Sequence, residues 1–555
     1  MRGRPEVFQR SFILPEFREA AILDAASSTA GSFGYHDDSI VKSTENVSTG
    51  VASPNLAPTS FFGSRAFSSL ELSALALIIA IAALLRIYLL GAKIFWFDEC
   101  VGVEIARLDW FNFARILWRR EANMSLYYLF LRLWLHLGDT PTILRSLSVI
   151  FALATIPALY LLGRRLFDSR TGLIAAVLVA LNAYHIRYSQ EARSYALTVL
   201  LCVLSSLFFV QSLENPTRRV RLGHILTSSL AVYAHFFAAL LILAQYLSLR
   251  FVEGTRIPEP ARKDWRWIGF GVLPVAIFVV STGAGPLSWI KRPSLRELWS
   301  FATHLTGNGG PLLLVASLIA CGAALLPVFR RKSISQTSWD SWRYWFLVLW
   351  LLFPVLFTVA VSFARPLFLA RYFVLCLPAL NLLVAAGLAR LRSFWLLTPA
   401  LLVFLILSLR GTVSYYEHDF DLRRDNWADA SQYLLSNARP GDAIVFDIAM
   451  GRMPYEYYRS LLNPHSDGPT VLYPNHGPRM TYMDFVGKPD YAQLKHSISQ
   501  YPRVWLVLSY VESPSGLEPT ASSLVTLLGA AYPVRKEYHF TGLDICLFAK
   551  SDSGP

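Results

Sequence analysis

Long apolar stretches recur from residue 70 to residue 412 and are separated by short polar segments. They centre on residues 70–90, 143–163, 171–187, 193–213, 222–252, 266–284, 310–329, 343–363, 371–391 and 395–412. A helix needs roughly 20 residues to cross the hydrocarbon core of a bilayer, so most of these stretches predict one crossing each. The stretch 222–252 is long for one crossing and short for two, and Tyr233-Ala234-His235 interrupts it at the middle. It predicts a tight helical pair. Met124 to Leu137 is apolar but falls well short of the ~20 residues a crossing takes, so it reads as re-entrant or interfacial.

Beyond Leu409 the pattern changes. Polar residues, Pro-Gly and Asp-Gly turn signals and short strand-like runs at Ala443–Phe446 and Val504–Tyr510 appear, with helical stretches at Trp427–Ser436 and Ser522–Leu528. The expected fold is a polytopic α-helical membrane protein of about 11 to 13 transmembrane helices, followed by a small C-terminal α/β domain outside the membrane. The expected organisation is a flexible cytoplasmic tail at 1–69, a transmembrane domain at 70–412 with its first outer loop at 91–143, and an extracytoplasmic α/β domain at 413–555. The tail is rich in Ser, Ala, Gly and Thr, and no basic segment leads directly into an apolar core as a cleaved signal would require.

Composition agrees with a lipid solvent, since 54% of the 555 residues are hydrophobic and only 16% are charged. The net charge of +13 argues for no nucleic-acid partner, because the basic residues are dispersed among short loops rather than gathered on one module. Arg164-Arg165-Arg170, Arg218-Arg219-Arg221, Arg250 to Lys263, Arg330-Arg331-Lys332 and Arg390-Arg392 instead mark cytoplasmic loops of a plasma (inner) membrane protein, with about eleven crossings and the C-terminal region outside. The stretch 91–143 goes against that rule, carrying Lys93, Arg107, Arg115, Arg119 and Arg120 on the outer side. The five cysteines are scattered and suggest neither a disulfide framework nor a zinc motif.

Several polar clusters lie on the outer side of this topology. Asp98-Glu99 follows the first crossing, where a carboxylate can take a proton from an attacking hydroxyl or can simply be a solvated pair at a helix end. Tyr184 to Tyr195 is denser in polar and aromatic groups than a turn requires, and Gln190, Glu191, Arg193 and Tyr195 are its candidate pocket residues. Arg371-Tyr372 and Lys291-Arg292 could hold phosphate oxygens or could anchor helices at the interface. His235 is either a hydrogen-bonded core residue or a proton carrier, and Asp425 or Asn426 is a helix N-cap. A divalent metal stays open, because Asp98, Glu99 and His235 could meet in space without showing a ligand spacing.

In this order the segments resemble the bacterial membrane glycosyltransferases of the GT-C superfamily, in the group of protein mannosyltransferases and aminoarabinose transferases. The resemblance covers roughly residues 70–440 and rests on Phe97-Asp98-Glu99, Ser125-Leu126-Tyr127-Tyr128, Leu144-Arg145-Ser146-Leu147-Ser148 leading to Gly163-Arg164-Arg165-Leu166, Tyr188 to Tyr195, Tyr233-Ala234-His235, Ala370-Arg371-Tyr372 and Asp425-Asn426-Trp427. Two departures stand out. Asn123-Met124-Ser125 replaces the family's His-Pro-Pro, and Ala234-His235-Phe236 keeps only the histidine of Thr-His-Tyr.

The resemblance implies transfer of a sugar from a polyprenyl-phosphate donor to a lipid, protein or polysaccharide acceptor on the outer face of the membrane, with inversion. Asp98 would be the general base and Glu99 would help position it or the acceptor. Arg371 and Tyr372, with Lys291 or Arg292, would hold the donor phosphate. Neither the sugar nor the acceptor is set by the sequence. The alternative is a transporter or flippase of lipid-linked sugars, for which two related halves are expected; no convincing internal repeat is visible.

Overall fold

The computed structural model describes residues 67–252, 259–282, 290–330, 339–420, 425–463, 468–474, 480–509, 512–513, 516–517 and 519–550. The tail expected at 1–69 and the basic residues Arg331, Lys332, Arg423 and Arg424 lie almost wholly outside these, only residues 67–69 of the tail being described.

The first apolar stretch forms α1 (Ser69–Ile87), begun by a capping box in which Ser68 and Glu71 satisfy each other's backbone N–H groups. The loop after α1 folds into short helices, α2 (Phe97–Arg107), α3 (Trp110–Arg119) and α4 (Ser125–Trp134). At ten residues, α4 rises only about 15 Å, roughly half a bilayer core, which fits the expectation that Met124–Leu137 does not cross. Then come α5 (Pro141–Leu166), α6 (Ser169–Leu181), α7 (Ala183–Ser189) and α8 (Tyr195–Glu214). The run 222–252 divides at His235 into α9 (Arg218–Ala234) and α10 (Ala238–Ser248). The membrane part continues with α11 (Glu259–Thr282), α12 (Leu295–Leu305), α13 (Gly310–Arg330), α14 (Trp339–Ser362), α15 (Leu377–Ala389) and α16 (Phe394–Ser414).

Among the described residues, seven helices are long and apolar enough to cross a membrane, or nine if each of two bent pairs is one span. The lower count than the expected 11 to 13 has a physical reason. α9 and α10 are too short to qualify singly, and α6–α7 and α12–α13 bend by 61° and 72° at their breaks. Outward faces remain apolar, with Leu70, Leu84, Phe270 and Val280 all largely exposed, as lipid contact allows and water does not. The protein is a multi-pass membrane protein.

Small residues let the inner helices approach closely. A Cβ on Gly387 of α15 would collide with the Ala320 carbonyl oxygen of α13, and one on Gly411 of α16 would meet the Gly307 carbonyl oxygen before α13. α15 is buried almost throughout.

After α17 (Trp427–Asn437), capped by the Asn426 side chain, the chain builds a small α/β unit. Its elements are β1 (Ala443–Phe446), α18 (Arg452–Leu462), β2 (Thr470–Tyr473), α19 (Met483–Val486), α20 (Tyr491–Ile498), β3 (Arg503–Ser509), a two-stranded ribbon of β4 (Glu512–Ser513) and β5 (Gly516–Leu517), α21 (Pro519–Ala531), β6 (Val534–Phe540) and β7 (Leu543–Ala549). The five-stranded sheet runs β2-β1-β3-β7-β6, with β1 parallel to both neighbours and β7 antiparallel to β3 and β6. β1 and β3 are buried along their whole length, as parallel strands covered on both faces should be. The edge strand β6 carries Arg535, Lys536 and Glu537, which discourage further strand pairing.

This unit seats on the loop after α1 through α18. Tyr457 stacks on Phe95 at 4.6 Å, Tyr458 donates its hydroxyl to the Phe95 carbonyl at 2.8 Å, and Tyr457 donates to the Asp139 carbonyl at 3.1 Å.

Candidate active site

α2 begins where the loop after α1 turns back, with Trp96 at its N-cap and Asp98 and Glu99 in its first turn. Unsatisfied N–H groups at a helix start favour negative charge there. The two adjacent carboxylates nevertheless point into different environments.

Glu99 is fully buried. Arg145 of α5 grips it through two hydrogen bonds, Nε to Oε1 at 2.9 Å and Nη2 to Oε2 at 2.7 Å. The same guanidinium donates to the carbonyls of Leu90, Lys93 and Ile94 at 2.9–3.0 Å, and the Ala192 N–H donates to Glu99 Oε1 at 2.7 Å. Glu99 thus ties the 90–95 loop, α5 and the turn before α8 together. The bidentate geometry is the strong form of a charge-assisted pair.

Asp98 keeps about a quarter of its side chain exposed. Its Oδ2 lies 3.6 Å from Nη2 of Arg193 and 3.6 Å from Nη1 of Arg371, while Arg193 Nη1 also donates to the Asp98 backbone carbonyl at 3.1 Å. Arg371 stands on the 3₁₀ turn Ala370–Cys376 before α15, with its guanidinium 5.8 Å from the Trp96 ring centre. Tyr184 fixes that turn by donating to the Ala370 carbonyl at 2.7 Å. Arg193 is fixed in turn by Ser148 of α5, which donates to its carbonyl at 3.2 Å and is paired with the Tyr127 hydroxyl at 2.9 Å.

Aromatic groups wall this basin. The His235 ring lies 4.8 Å from that of Tyr372 and 6.2 Å from that of Tyr195, and His235 Nδ1 accepts the Phe237 N–H at 3.3 Å. His235 Nε2 and the Tyr195 hydroxyl are buried and have no hydrogen-bond partner among the described residues. Polar atoms held dry without partners are costly, and a site awaiting a polar ligand is a common reason to keep them.

The remaining residues singled out from sequence lie elsewhere. Gln190 is a strut: its amide donates to the carbonyls of Arg86 and Tyr88 and contacts the Tyr416 hydroxyl, while its oxygen accepts from Tyr415 at 3.0 Å. Glu191 pairs with buried Lys93 at 3.4 Å. Lys291 and Arg292 are exposed just before α12, and among the described residues no ion pair joins them to Asp98. Among the described residues no three His, Cys, Asp or Glu side chains are grouped so as to hold a metal ion.

The sequence assigned no role to two contributors. Arg145 was visible as a charge near the start of an apolar run, a costly placement that signals a partner. Glu121 precedes α4 in a loop strapped over the His235 turn, where Asn123 Oδ1 accepts the Phe236 N–H at 3.0 Å and Ser125 donates to the Tyr233 carbonyl at 3.4 Å. Burial pushes the Glu121 carboxyl up to about 7, against the pull of Arg193 and Arg120 and with the charge of Asp98 adding to the rise.

Residues 125–282 match the family model of dolichyl-phosphate-mannose-protein mannosyltransferase. No curated protein matches the chain. The fold is similar to ArnT from Cupriavidus metallidurans bound to undecaprenyl phosphate, with a TM-score of 0.59 at 11% identity over 88% of this chain and 100% of that one. The apo form of the same enzyme gives 0.58 at 12% identity, with the same coverage. The Archaeoglobus fulgidus oligosaccharyltransferase is more distant, at a TM-score of 0.46 and 12% identity over 79% of this chain and 68% of that one. Residues 125–282 thus resemble a mannosyltransferase model, and the chain as a whole shares the fold of ArnT.

Proposed function

We propose that the protein transfers a sugar from a polyprenyl-phosphate carrier to an acceptor hydroxyl at the outer face of the membrane. The observation that carries this reading is one carboxylate, Asp98, standing 3.6 Å from two guanidinium groups in a partly enclosed basin. The acceptor O–H gives its proton to Asp98 as its oxygen attacks the anomeric carbon. The new C–O bond forms in line with the breaking bond to the phosphate oxygen, so configuration inverts. Arg371 then leaves Asp98 for the departing polyprenyl phosphate, whose growing charge a guanidinium stabilises strongly where water is scarce.

Arg193 stays on Asp98 and, with Tyr195 and His235, lines the sugar or acceptor side. Glu99 acts through Arg145, holding the helix start that aims Asp98. Lys291 and Arg292, being exposed, would meet the carrier's phosphate only on its way in. Undecaprenyl phosphate, the ligand bound in the ArnT structure, is of the class of carrier proposed.

The test is to incubate the purified chain with a radiolabelled polyprenyl-phosphate sugar and follow release of polyprenyl phosphate. Release supports transfer; intact donor carried across a vesicle membrane without cleavage would mean a transporter. Labelling of a cysteine placed at exposed position 291 by an impermeant reagent from outside checks the orientation, and labelling from inside alone would reverse it.

A further inference from the structure

α2 carries a second polar site at its other end. Between α2–α3 and the α18 face of the C-terminal unit lies a cavity of about 400 Å³, within the range of small-molecule sites. Glu104, Arg107, Asn112, Arg459, Ser460 and Thr481 are among its lining residues. Its charged groups are already paired: Arg107 donates to Glu104 at 2.7 Å and to Ser460 at 3.1 Å, and Arg459 donates to Glu456 at 2.8 Å. Ligand groups therefore meet donors and acceptors that are held in place before binding, which lowers the ordering cost.

We propose, building on the glycosyltransferase reading, that this cavity is a remote subsite for a neutral oligosaccharide acceptor. Carboxylates, guanidinium groups, an amide and hydroxyls all line it, and a sugar ring carries donors and acceptors that match such a mixture. Its near-balanced charge suits a neutral polyol better than a phosphate or an acidic peptide. Burial raises the Glu104 carboxyl to about 7, so near neutrality it can donate as well as accept. Glu104 is six residues along the same helix from Asp98, about 9 Å of axial rise at 1.5 Å per residue and about 240° round the helix. An acceptor that occupies the cavity and also offers a hydroxyl to Asp98 must therefore run round α2, which calls for an oligosaccharide of several units rather than a single sugar.

The full-length chain in detergent micelles is applied to an array of neutral oligosaccharides of increasing length and to acidic peptides as competitors. Ser460→Trp and Thr481→Trp, each filling the cavity from a different side and each checked by thermal unfolding, are run beside the parent. The expected result is glycan binding by the parent that falls at least tenfold in both variants. Equal binding by parent and filled variants, binding of peptides instead, or no glycan binding by the parent overturns the subsite. Release of polyprenyl phosphate by the parent is scored separately, so glycan binding without donor cleavage under any donor would overturn the transfer reading and leave the subsite standing.

Discussion

Replacing Arg145 by Met removes the only cation bonded to fully buried Glu99 among the described residues, together with the donors that serve the carbonyls of Leu90, Lys93 and Ile94. An uncompensated buried charge of this kind costs about 3–5 kcal/mol. Replacing Glu99 by Gln strands the guanidinium instead and should cost a similar amount. The double variant Glu99→Gln/Arg145→Met loses the pair as a unit, so the two costs should fall short of adding by about 2 kcal/mol or more. Reversible unfolding in mixed micelles by titration with a denaturing detergent measures all four proteins of the cycle. A single substitution costing under about 1 kcal/mol, or a double variant equal to the sum of the singles, would refute the claim that this pair fixes the start of α2. Because Asp98 sits one residue before Glu99, the folded fraction of Arg145→Met should also transfer sugar about 10²-fold more slowly, the usual cost of a misplaced catalytic group.

Arg371→Ala should lower the rate of donor cleavage by about 10²–10³-fold, with Arg371→Lys recovering part of it, measured in single turnover; an unchanged rate would remove Arg371 from the phosphate. Gln190→Leu should destabilise the protein by about 1–3 kcal/mol by stranding the carbonyls and hydroxyls it serves, read in the same unfolding titration. Gly387→Ala should cost about 1–3 kcal/mol through overpacking of α13 against α15. Glu121 titrates near 7 when folded and near 4.3 when unfolded, so the unfolded chain gives up the proton first and stability falls as pH rises from about 4.3 to 7. Glu121→Gln should flatten part of that slope, and an unchanged slope would show that the group is not held away from water.

The membrane helices were legible because a 3.6-residue helix that faces lipid and protein is apolar all round, which makes α1, α5, α8, α14 and α16 stand out as long runs. The elements of the C-terminal unit were also foreseeable at Ala443–Phe446 and Val504–Tyr510, the second found as Arg503–Ser509 with Tyr510 outside the described residues. The pairing order β2-β1-β3-β7-β6 was not, since it depends on long-range contacts that no local pattern encodes.

At the site, Asp98 and Arg371 were singled out separately, and only the fold brings them to 3.6 Å across 273 positions of sequence (371 − 98). The partners that give Glu99, Gln190 and Glu191 their local roles, namely Arg145, Tyr415 and Lys93, lie far from them in sequence. A buried polar residue declares that it needs a partner without naming it. Lys291 and Arg292 carry the residue types of a phosphate clamp, but sequence gives no measure of their exposure or of their separation from Asp98.

The central claim is that Asp98 removes the acceptor proton, and Asp98→Asn tests it with little change of shape. Parent and variant are supplied with the same labelled polyprenyl-phosphate sugar and acceptor, and glycosylated product is counted over time. The account predicts a loss of at least about 10²-fold in the variant, with its unfolding transition close to the parent's. Transfer by Asp98→Asn as fast as by the parent would contradict it.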